Sequence, residues 1–244
     1  MIFDSRQHAG RLLTAELEKR NLKPDLVYGL ARGGVVVAAE IAAAFNVPPE
    51  PLIVRKISTL RNPEFGIGAL AMIPILRRSA KNGSEPSGSA VWWDENVVRR
   101  LGLSPEWQKQ QIKDKKIEIS EYIRKIGIIK NVRRPSPKSG NIVLVDDGAA
   151  TGGTMMAALG AVRKIKKGLA LRRKAKPYQI TAALPVASTE AADILRQAAD
   201  QVVILHEDPY LGAVGVYYRQ FEQVSWEKVK QLLESSYGIN EETN

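Results

Sequence analysis

The chain has 244 residues, of which 44% are hydrophobic and 25% are charged, and it contains no cysteine. This composition is ordinary for a globular protein, and the length suits one α/β domain with elaborations. The absence of cysteine excludes disulfides, thiolate metal ligands and a cysteine nucleophile. No apolar run approaches the roughly 20 residues of a membrane span, and the N-terminus lacks the apolar core of a secretory signal. We therefore expect no membrane partner and a cytoplasmic location.

The charge of the chain is strongly positive, with a formal net charge of +10 and a pI near 9.7. Such a charge suits nucleic acid, an acidic membrane surface or a multiply phosphorylated metabolite. The basic residues are concentrated in Lys109–Arg134 and Arg163–Lys176. Runs of this kind are more often solvated faces than binding sites, so charge alone does not choose among these partners.

Apolar periodicity predicts alternating helices and strands along most of the chain. The predicted elements are a helix over Ser5–Arg20 capped by Asp4 or Ser5, a strand over Leu26–Leu30, a helix over Val35–Phe45, a strand over Pro51–Val54, a strand over Ile142–Val145, a helix over Thr154–Lys166, a strand over Ile180–Leu184, a helix over Thr189–Ala199, and a strand over Val202–Leu205. Continuous apolar strands between helices predict an α/β fold with a doubly wound, mostly parallel sheet that is buried on both faces.

Two regions depart from this alternation within the single domain that we expect over residues 1–244. Residues 72–138 read as an insertion that carries a long charged helix over Trp107–Ile126. Residues 206–244 hold an aromatic cluster and a final helix near Ser225–Ser235, and we interpret them as a hood followed by a C-terminal helix.

The segment Asn141–Thr154 carries the most chemical information. A buried strand delivers Asp146 and Asp147 to its carboxyl end, where open α/β sheets bind their ligands. A loop of small residues then leads into a helix N-terminus, which is a general arrangement for holding phosphate, and Thr151 and Thr154 add hydroxyl donors. The carboxylates would repel a phosphate unless they face sugar hydroxyls or a divalent cation. A ribose phosphate with Mg²⁺ satisfies all of these groups.

This segment resembles the phosphoribosyl pyrophosphate signature of the type I phosphoribosyltransferases, in which two acids precede a short loop with Thr-Gly-x-Thr. The resemblance implies that Asp146 and Asp147 bind the ribose hydroxyls of 5-phosphoribosyl 1-pyrophosphate and hold Mg²⁺, largely through substrate and water. It implies that Ala150, Thr151, Gly152, Gly153 and Thr154 form the cradle for the 5-phosphate, and that Gly148 and Ala149 also bind the substrate. Gly148 departs slightly from the family, which often has an aliphatic residue there. The alternative is an ordinary strand, turn and helix in which the aspartates only cap the helix.

A second match is Ala31-Arg32-Gly33-Gly34, directly after the first predicted strand. It resembles the family loop that holds the pyrophosphate, whose backbone often includes a non-proline cis peptide. Glycines allow an anion to approach the backbone closely, and Arg32 supplies positive charge. Turns of this composition are also common between strands and helices that bind nothing.

Two further features resemble the family at other positions. Arg55 and Lys56 follow the second predicted strand, where a basic family residue contacts the pyrophosphate, although basic strand ends are also common on plain surfaces. The stretch Asn62–Gly68 is the candidate for the mobile catalytic loop. Together with the terminal segment Gly212–Tyr218, the order of motifs resembles a bacterial group of predicted phosphoribosyltransferases.

The resemblance implies an enzyme that transfers the phosphoribosyl group to a nitrogenous acceptor, a nucleobase by preference, and releases pyrophosphate. Its catalytic residues would be Asp146, Asp147, Arg32 and Lys56, with Mg²⁺ as cofactor, and we expect a homodimer. The acceptor would lie beneath a hood that could be built from aromatic residues, although such clusters are more often plain core. The candidate hood residues are Tyr210, Tyr217, Tyr218 and Phe221.

The alternative function is a regulator that senses phosphoribosyl pyrophosphate and binds nucleic acid through Lys109–Arg134. No helix-turn-helix or RNA-binding signature supports it, and Asp114, Glu118 and Glu121 lie among the lysines. We therefore expect no nucleic-acid partner. The nucleoside triphosphatase signature Gly-x4-Gly-Lys-Ser/Thr is absent. A purely structural module would leave the acid, glycine and threonine segment unexplained.

Overall fold

The computed structural model describes residues 1–59, 62–74, 88–126, 140–170 and 178–237, and it contains a seven-stranded sheet. The strands are β1 (Leu26–Ala31), β2 (Pro49–Thr59), β3 (Asn62–Met72), β4 (Ser89–Trp93), β5 (Asn141–Val145), β6 (Gln179–Ser188) and β7 (Gln201–Asp208). The helices are α1 (Arg6–Lys19), α2 (Gly33–Ala44), α3 (Glu95–Arg100), α4 (Pro105–Ile126), α5 (Gly153–Ala170), α6 (Thr189–Ala198) and α7 (Trp226–Ser236), with a short 3-10 helix over Val214–Tyr217.

The sheet has the order β4-β3-β2-β1-β5-β6-β7. The pairs from β2 through β1, β5 and β6 to β7 are parallel, and β3 and β4 extend the β2 edge in antiparallel pairing. Helices cover both faces, as the alternation within β5 shows. Leu144 packs in the cluster that contains Met155 of α5, whereas Val143 packs in the cluster that contains Leu13 of α1 and Ile41 of α2. The predicted doubly wound, mostly parallel α/β fold is confirmed.

Helix α1 illustrates how the sequence specifies one layer. The hydroxyl of Ser5 accepts the N–H of His8 at 3.2 Å, which confirms Ser5 as the predicted cap. Ala9, Leu13 and Leu17 recur at helical spacing and are fully buried. Leu13 and Leu17 pack the helix against α2 and the adjoining face of the sheet, and Ala9 packs in the cluster that contains Phe3 and Val186.

The order in which successive strands are added to the sheet reverses between β1 and β5. These strands are adjacent and parallel, but β1 leads through α2 to β2 on one side, and β5 leads through α5 to β6 on the other. Connections that diverge in this way leave a crevice at the carboxyl ends of the two strands, which is where open α/β sheets bind ligands.

The structure corrects the predicted end of β2 and the expectation of a loop after it. Strand β2 does not end at Val54 but continues to Thr59, so Arg55 and Lys56 lie inside it. Asn62–Gly68 is part of strand β3. Both changes have one cause, since β2 and β3 form an antiparallel hairpin that extends beyond the end of β1 and buries Ile57. Residues 206–208, the first of the range predicted as a hood, complete β7, and that the remainder forms a hood stays a prediction.

The range 72–138, predicted as an insertion, contributes to the main sheet. Strand β4 lies in this range and pairs with β3, and helices α3 and α4 follow it. Residues 75–87 and 127–138 of this range lie outside the described residues. That the range is an insertion stays a prediction.

Gly34 at the start of α2 provides a test of how closely α2 approaches β5. A Cβ at Gly34 would lie 2.6 Å from the carbonyl oxygen of Val145 and 2.8 Å from the Cα of Asp146. Both contacts are with backbone, which cannot rotate away. We therefore expect Gly34→Ala to lower the free energy of unfolding by about 1–3 kcal/mol, measured by urea denaturation.

The matched control is Gly212→Ala, because an added Cβ there meets no atom within 4 Å. This variant should unfold near the wild-type midpoint. An unchanged midpoint for Gly34→Ala would show that α2 does not pack so closely against β5.

Candidate active site in the crevice between β1 and β5

The two predicted ligand-binding loops meet in the crevice. A Cβ at Gly33 would lie 1.9 Å from Oδ2 of Asp147, so the absence of a side chain there lets the first turn of α2 contact the acid. Ala31 ends β1, Arg32 is the N-cap residue of α2, and the peptide bond between them is cis, as the resemblance implied. The structure thus brings together two motifs that lie more than one hundred residues apart in the sequence.

The two acids occupy different environments. Oδ1 of Asp146 accepts the N–H of Asp147 at 2.9 Å, and Oδ2 of Asp147 accepts Nε of Arg6 at 2.7 Å. Burial raises the pKa of Asp146, and the negative charge of Asp147 raises it further. Neither bond is to an amide of α5, so these bonds do not cap that helix. Oδ2 of Asp146 and Oδ1 of Asp147 take part in neither of these two hydrogen bonds.

The loop after the acids is fixed to the end of β6. The N–H of Ala149 donates to the carbonyl of Val186 at 3.0 Å, and the N–H of Ser188 donates to the carbonyl of Ala149 at 2.9 Å. The Ser188 hydroxyl donates to the carbonyl of Ala150 at 2.7 Å. These bonds hold the loop before it turns through Gly152, whose φ is +73°.

Helix α5 begins at Gly153, directly after this turn. The first N–H groups of a helix have no partner within the helix, and the helix dipole places partial positive charge there. Thr151 is exposed and Thr154 is half-buried at this end. The loop Gly148–Thr154 can therefore hold a phosphate through backbone N–H groups and two hydroxyls.

A carboxyl-terminal segment, Val214–Glu222, covers the acids, and we call it the hood segment. The Tyr218 hydroxyl donates to the carbonyl of Asp147 at 2.6 Å, and its ring lies 5.0 Å from the ring of Phe221. The Arg6 guanidinium lies 3.8 Å from the centre of the Phe221 ring, and its Nη1 donates to the carbonyl of Glu222 at 2.9 Å. The hood segment thus contacts both the loop that contains Asp147 and helix α1.

The four aromatic residues predicted for the hood have different surroundings. Tyr218 is buried and packs on Phe3, whereas Phe221 is 36% exposed. Tyr217 donates its hydroxyl to Asp208 and packs against His206, and Tyr210 is 91% exposed. Of these four residues, only Tyr218 and Phe221 make described contacts with the loop that contains Asp147 or with Arg6, which binds Asp147.

The predicted cationic residues lie on different sides of the sheet. Arg55 forms an ion pair with Glu118 of α4, and its guanidinium lies 5.2 Å from the Tyr122 ring. Tyr122 in turn stacks on Trp226 at 4.6 Å, and Trp226 lies 5.8 Å from the guanidinium of Arg32. Arg55 is thus engaged by α4, and its predicted contact with pyrophosphate stays a prediction.

Lys56 lies on the opposite face of β2 from Arg55. Its cross-strand neighbours are Ala69 of β3 and, beyond it, Trp92 of β4. The Trp92 ring lies against Gly153, since a Cβ there would be 2.6 Å from its Cζ3 atom. Lys56, Ala69 and Trp92 thus form one row across three strands. The row places the exposed Lys56 on the face of the sheet that packs against α5, level with the N-terminus of that helix.

Comparison with known proteins identifies the family. No family model matches the chain. Two curated proteins from Mycobacterium tuberculosis strains CDC 1551/Oshkosh and H37Rv, each named putative phosphoribosyl transferase, are 30% identical to it over 239 residues, which cover 97% of this chain and 47% of theirs. The crystal structure of TT1426 from Thermus thermophilus has a TM-score of 0.69 and 31% identity, covering 98% of this chain and 100% of that one. The chain belongs to the phosphoribosyltransferase family.

Membership of the phosphoribosyltransferase family agrees with the resemblance carried by Asn141–Thr154. The chain spans about half the length of the curated relatives it matches. In the part of the chain that the structure describes, no helix is long and apolar enough to cross a membrane. The basic run Lys109–Arg134 is described only as far as Ile126, within a helix that buries Ile119, and its role in nucleic-acid binding is untested.

A metal ion in this crevice would need ligands besides protein side chains. Among the residues described, no group of three or more His, Cys, Asp or Glu side chains could hold one. Mg²⁺ is commonly held by one or two carboxylates together with substrate phosphates and water. The available oxygens of Asp146 and Asp147 fit that arrangement.

Arg6 is the residue of this site that sequence reasoning missed. It is only 9% exposed, although arginine is rarely buried unless it is paired. A signal was present, because Arg6 continues the buried stripe of Ala9, Leu13 and Leu17 by one helical turn. A charged residue on the buried stripe of a helix indicates an internal partner, and here that partner is Asp147.

The different surroundings of the two acids predict opposite effects on stability. Asp146→Asn keeps the acceptor for the N–H of Asp147 and removes a buried charge beside another carboxylate, so we expect it to raise the free energy of unfolding. Asp147→Asn leaves the Arg6 guanidinium buried without its counter-charge, and should cost about 3–5 kcal/mol. Urea denaturation of both variants measures the contrast.

The gain from Asp146→Asn should depend on pH. Because its pKa is raised, Asp146 binds a proton more tightly in the folded protein than in the unfolded chain. The wild type should therefore lose stability relative to the variant as pH rises from the ordinary aspartate pKa, about 3.9, to the raised value. If the wild type and Asp146→Asn change stability equally with pH, this description of the acids is wrong.

Proposed function

We propose that this chain binds 5-phosphoribosyl 1-pyrophosphate with Mg²⁺ and transfers its phosphoribosyl group to a nitrogenous acceptor, a nucleobase by preference, with release of pyrophosphate. One observation carries the proposal. The loops after β1 and β5 bring two acids, the N-terminus of α5 with its threonine hydroxyls, and the glycines of the turn Ala31–Gly34 together at one crevice. Family membership supports the same reaction class.

The crevice offers a separate partner for each part of this substrate. The carboxylate oxygens of Asp146 and Asp147 outside the described hydrogen bonds can accept the ribose hydroxyls. The loop Gly148–Thr154 can hold the 5-phosphate on N–H groups at the start of α5. The turn Ala31–Gly34 can hold the pyrophosphate, because its glycines expose the backbone and Arg32 supplies a positive charge.

Departure of pyrophosphate is the step that the site must promote. Negative charge develops on the leaving group while positive charge develops on the ribose ring. Arg32 and Lys56 would stabilise the former, and the carboxylates beneath the ribose would favour the latter. Mg²⁺, bound through substrate oxygens and the two acids, would supply further neutralisation of the phosphates. Positioning and electrostatics then suffice without a covalent protein intermediate.

The hood segment is where we place the acceptor. Phe221 is partly exposed and lies beside Arg6, which contacts Asp147. An exposed aromatic face next to the ribose-binding acids suits a planar heterocycle, since aromatic rings stack favourably. We also propose that the acceptor is a nucleobase, that the protein forms a homodimer and that it acts in the cytoplasm.

Thr154→Val tests the proposed phosphate loop by calorimetry with phosphoribosyl pyrophosphate and Mg²⁺. We expect the wild type to bind, and the variant to lose about 1.5–3 kcal/mol of binding free energy, the usual contribution of a hydrogen bond to a charged group. The matched control is Thr189→Val, because Thr189 is exposed in the first turn of α6 rather than α5. The control should bind as the wild type does.

Pyrophosphate release in the presence of a panel of purine and pyrimidine bases then tests the transfer itself. Release that requires one of the bases supports the reaction. If the wild type fails to bind phosphoribosyl pyrophosphate at millimolar concentration, the proposed function is wrong.

A further inference from the structure

Arg6 connects three separate parts of the molecule around the crevice. It lies in the first turn of α1, at the amino end of the chain. Its Nε donates to Asp147 in the loop after β5, and its Nη1 donates to the carbonyl of Glu222 in the hood segment. Its planar face covers the ring of Phe221 at 3.8 Å. Few side-chain rotamers can satisfy these three contacts together, so each partner restricts the others.

Burial strengthens the electrostatic attraction between Arg6 and Asp147. The Arg6 side chain is 10% exposed and that of Asp147 is 17% exposed, so water screens their attraction weakly. A guanidinium keeps its charge and directs several N–H groups in fixed directions, which lysine cannot reproduce. The bond to Oδ2 therefore fixes the rotation of the Asp147 carboxylate and leaves Oδ1 as its available oxygen.

The same loop is held from a second direction. The Tyr218 hydroxyl donates to the backbone carbonyl of Asp147 at 2.6 Å, so the hood segment contacts both the backbone and, through Arg6, the side chain of this residue. The hood segment is in turn joined to the amino terminus, because the N–H of Phe3 donates to the carbonyl of Tyr217 at 2.7 Å.

We propose that Arg6 is a positioning residue that orients the Asp147 carboxylate toward the ribose and couples this acid to the hood segment. Arg6 acts through Asp147 and is not a catalytic residue itself. This inference rests on the proposed function, and it adds to that function a residue outside both ligand-binding loops. It makes α1 and the hood segment, rather than the loops alone, responsible for the geometry at the ribose.

The test compares Arg6→Met with the wild type by calorimetry against three ligands in the presence of Mg²⁺. These are phosphoribosyl pyrophosphate, ribose 5-phosphate and inorganic pyrophosphate. Binding of the two ribose-bearing ligands should weaken by roughly 10- to 100-fold, the usual effect of removing a group that orients a ligating residue. Binding of inorganic pyrophosphate should be unchanged, because its expected partners are in the turn Ala31–Gly34. A general disturbance of the fold would instead weaken all three.

Arg11→Met is the matched control on the same helix. The Arg11 side chain is 61% exposed and pairs with Glu40 at 3.6 Å, away from the crevice. This variant should bind all three ligands as the wild type does. Arg6→Lys keeps the charge but not the planar group, and should recover only part of the affinity that Arg6→Met loses.

Phe221→Leu keeps the proposal testable if Arg6→Met does not fold. It removes the ring beneath the guanidinium without touching Asp147, and it should weaken the ribose-bearing ligands selectively, by a smaller factor. The inference is overturned if the wild type binds phosphoribosyl pyrophosphate and the folded Arg6→Met variant, or Phe221→Leu in its place, binds it equally well. Failure of the wild type to bind would instead reject the proposed function, and this inference with it.

Discussion

The reversal of strand order between β1 and β5 is the constraint on which the site depends. Two adjacent parallel strands send their following helices to opposite sides, so the loops at their ends separate and leave a crevice. Both loops must nevertheless pack closely below it, and Gly33 and Gly34 make this possible because a side chain at either position would overlap the acids or the end of β5. Topology thus provides the cleft, and small residues determine how near its two walls lie.

A second constraint is electrostatic. The negative charges of two adjacent aspartates repel each other, and the raised pKa of Asp146 reflects its burial and that repulsion. The structure relieves part of it by pairing Asp147 with Arg6, a residue drawn from the far end of the chain. The crevice therefore contains an acid whose negative charge is costly, and a sugar hydroxyl or a cation beside it would lower that cost. Such perturbed acids in a cleft are typical of functional sites, although structural ion pairs also produce them.

Much of the fold could be predicted from the sequence, because the buried parallel strands and the amphipathic helices have clear periodicity. Asp146, Asp147 and the loop to Thr154 could be predicted as a candidate site because a strand, two acids, glycines and threonines coincide locally. The extent of β2 could not be found in this way, since it depends on pairing with β3 beyond the end of β1. Local sequence also gave no means of separating Arg55, which pairs with α4, from Lys56 on the other face. Arg6 was missed because its partners lie 141 and 216 residues away.

The most direct test of the central claim is amide hydrogen exchange with and without phosphoribosyl pyrophosphate and Mg²⁺. This measurement locates the ligand without any substitution, because bound anions protect the backbone N–H groups that hold them. The account predicts slower exchange in the turn Ala31–Gly34 and the loop Asp146–Thr154, and unchanged exchange in the exposed face of α4. Protection that spares both loops, or that is confined to α4 and the basic run after it, would contradict the claim that the crevice between β1 and β5 binds this substrate.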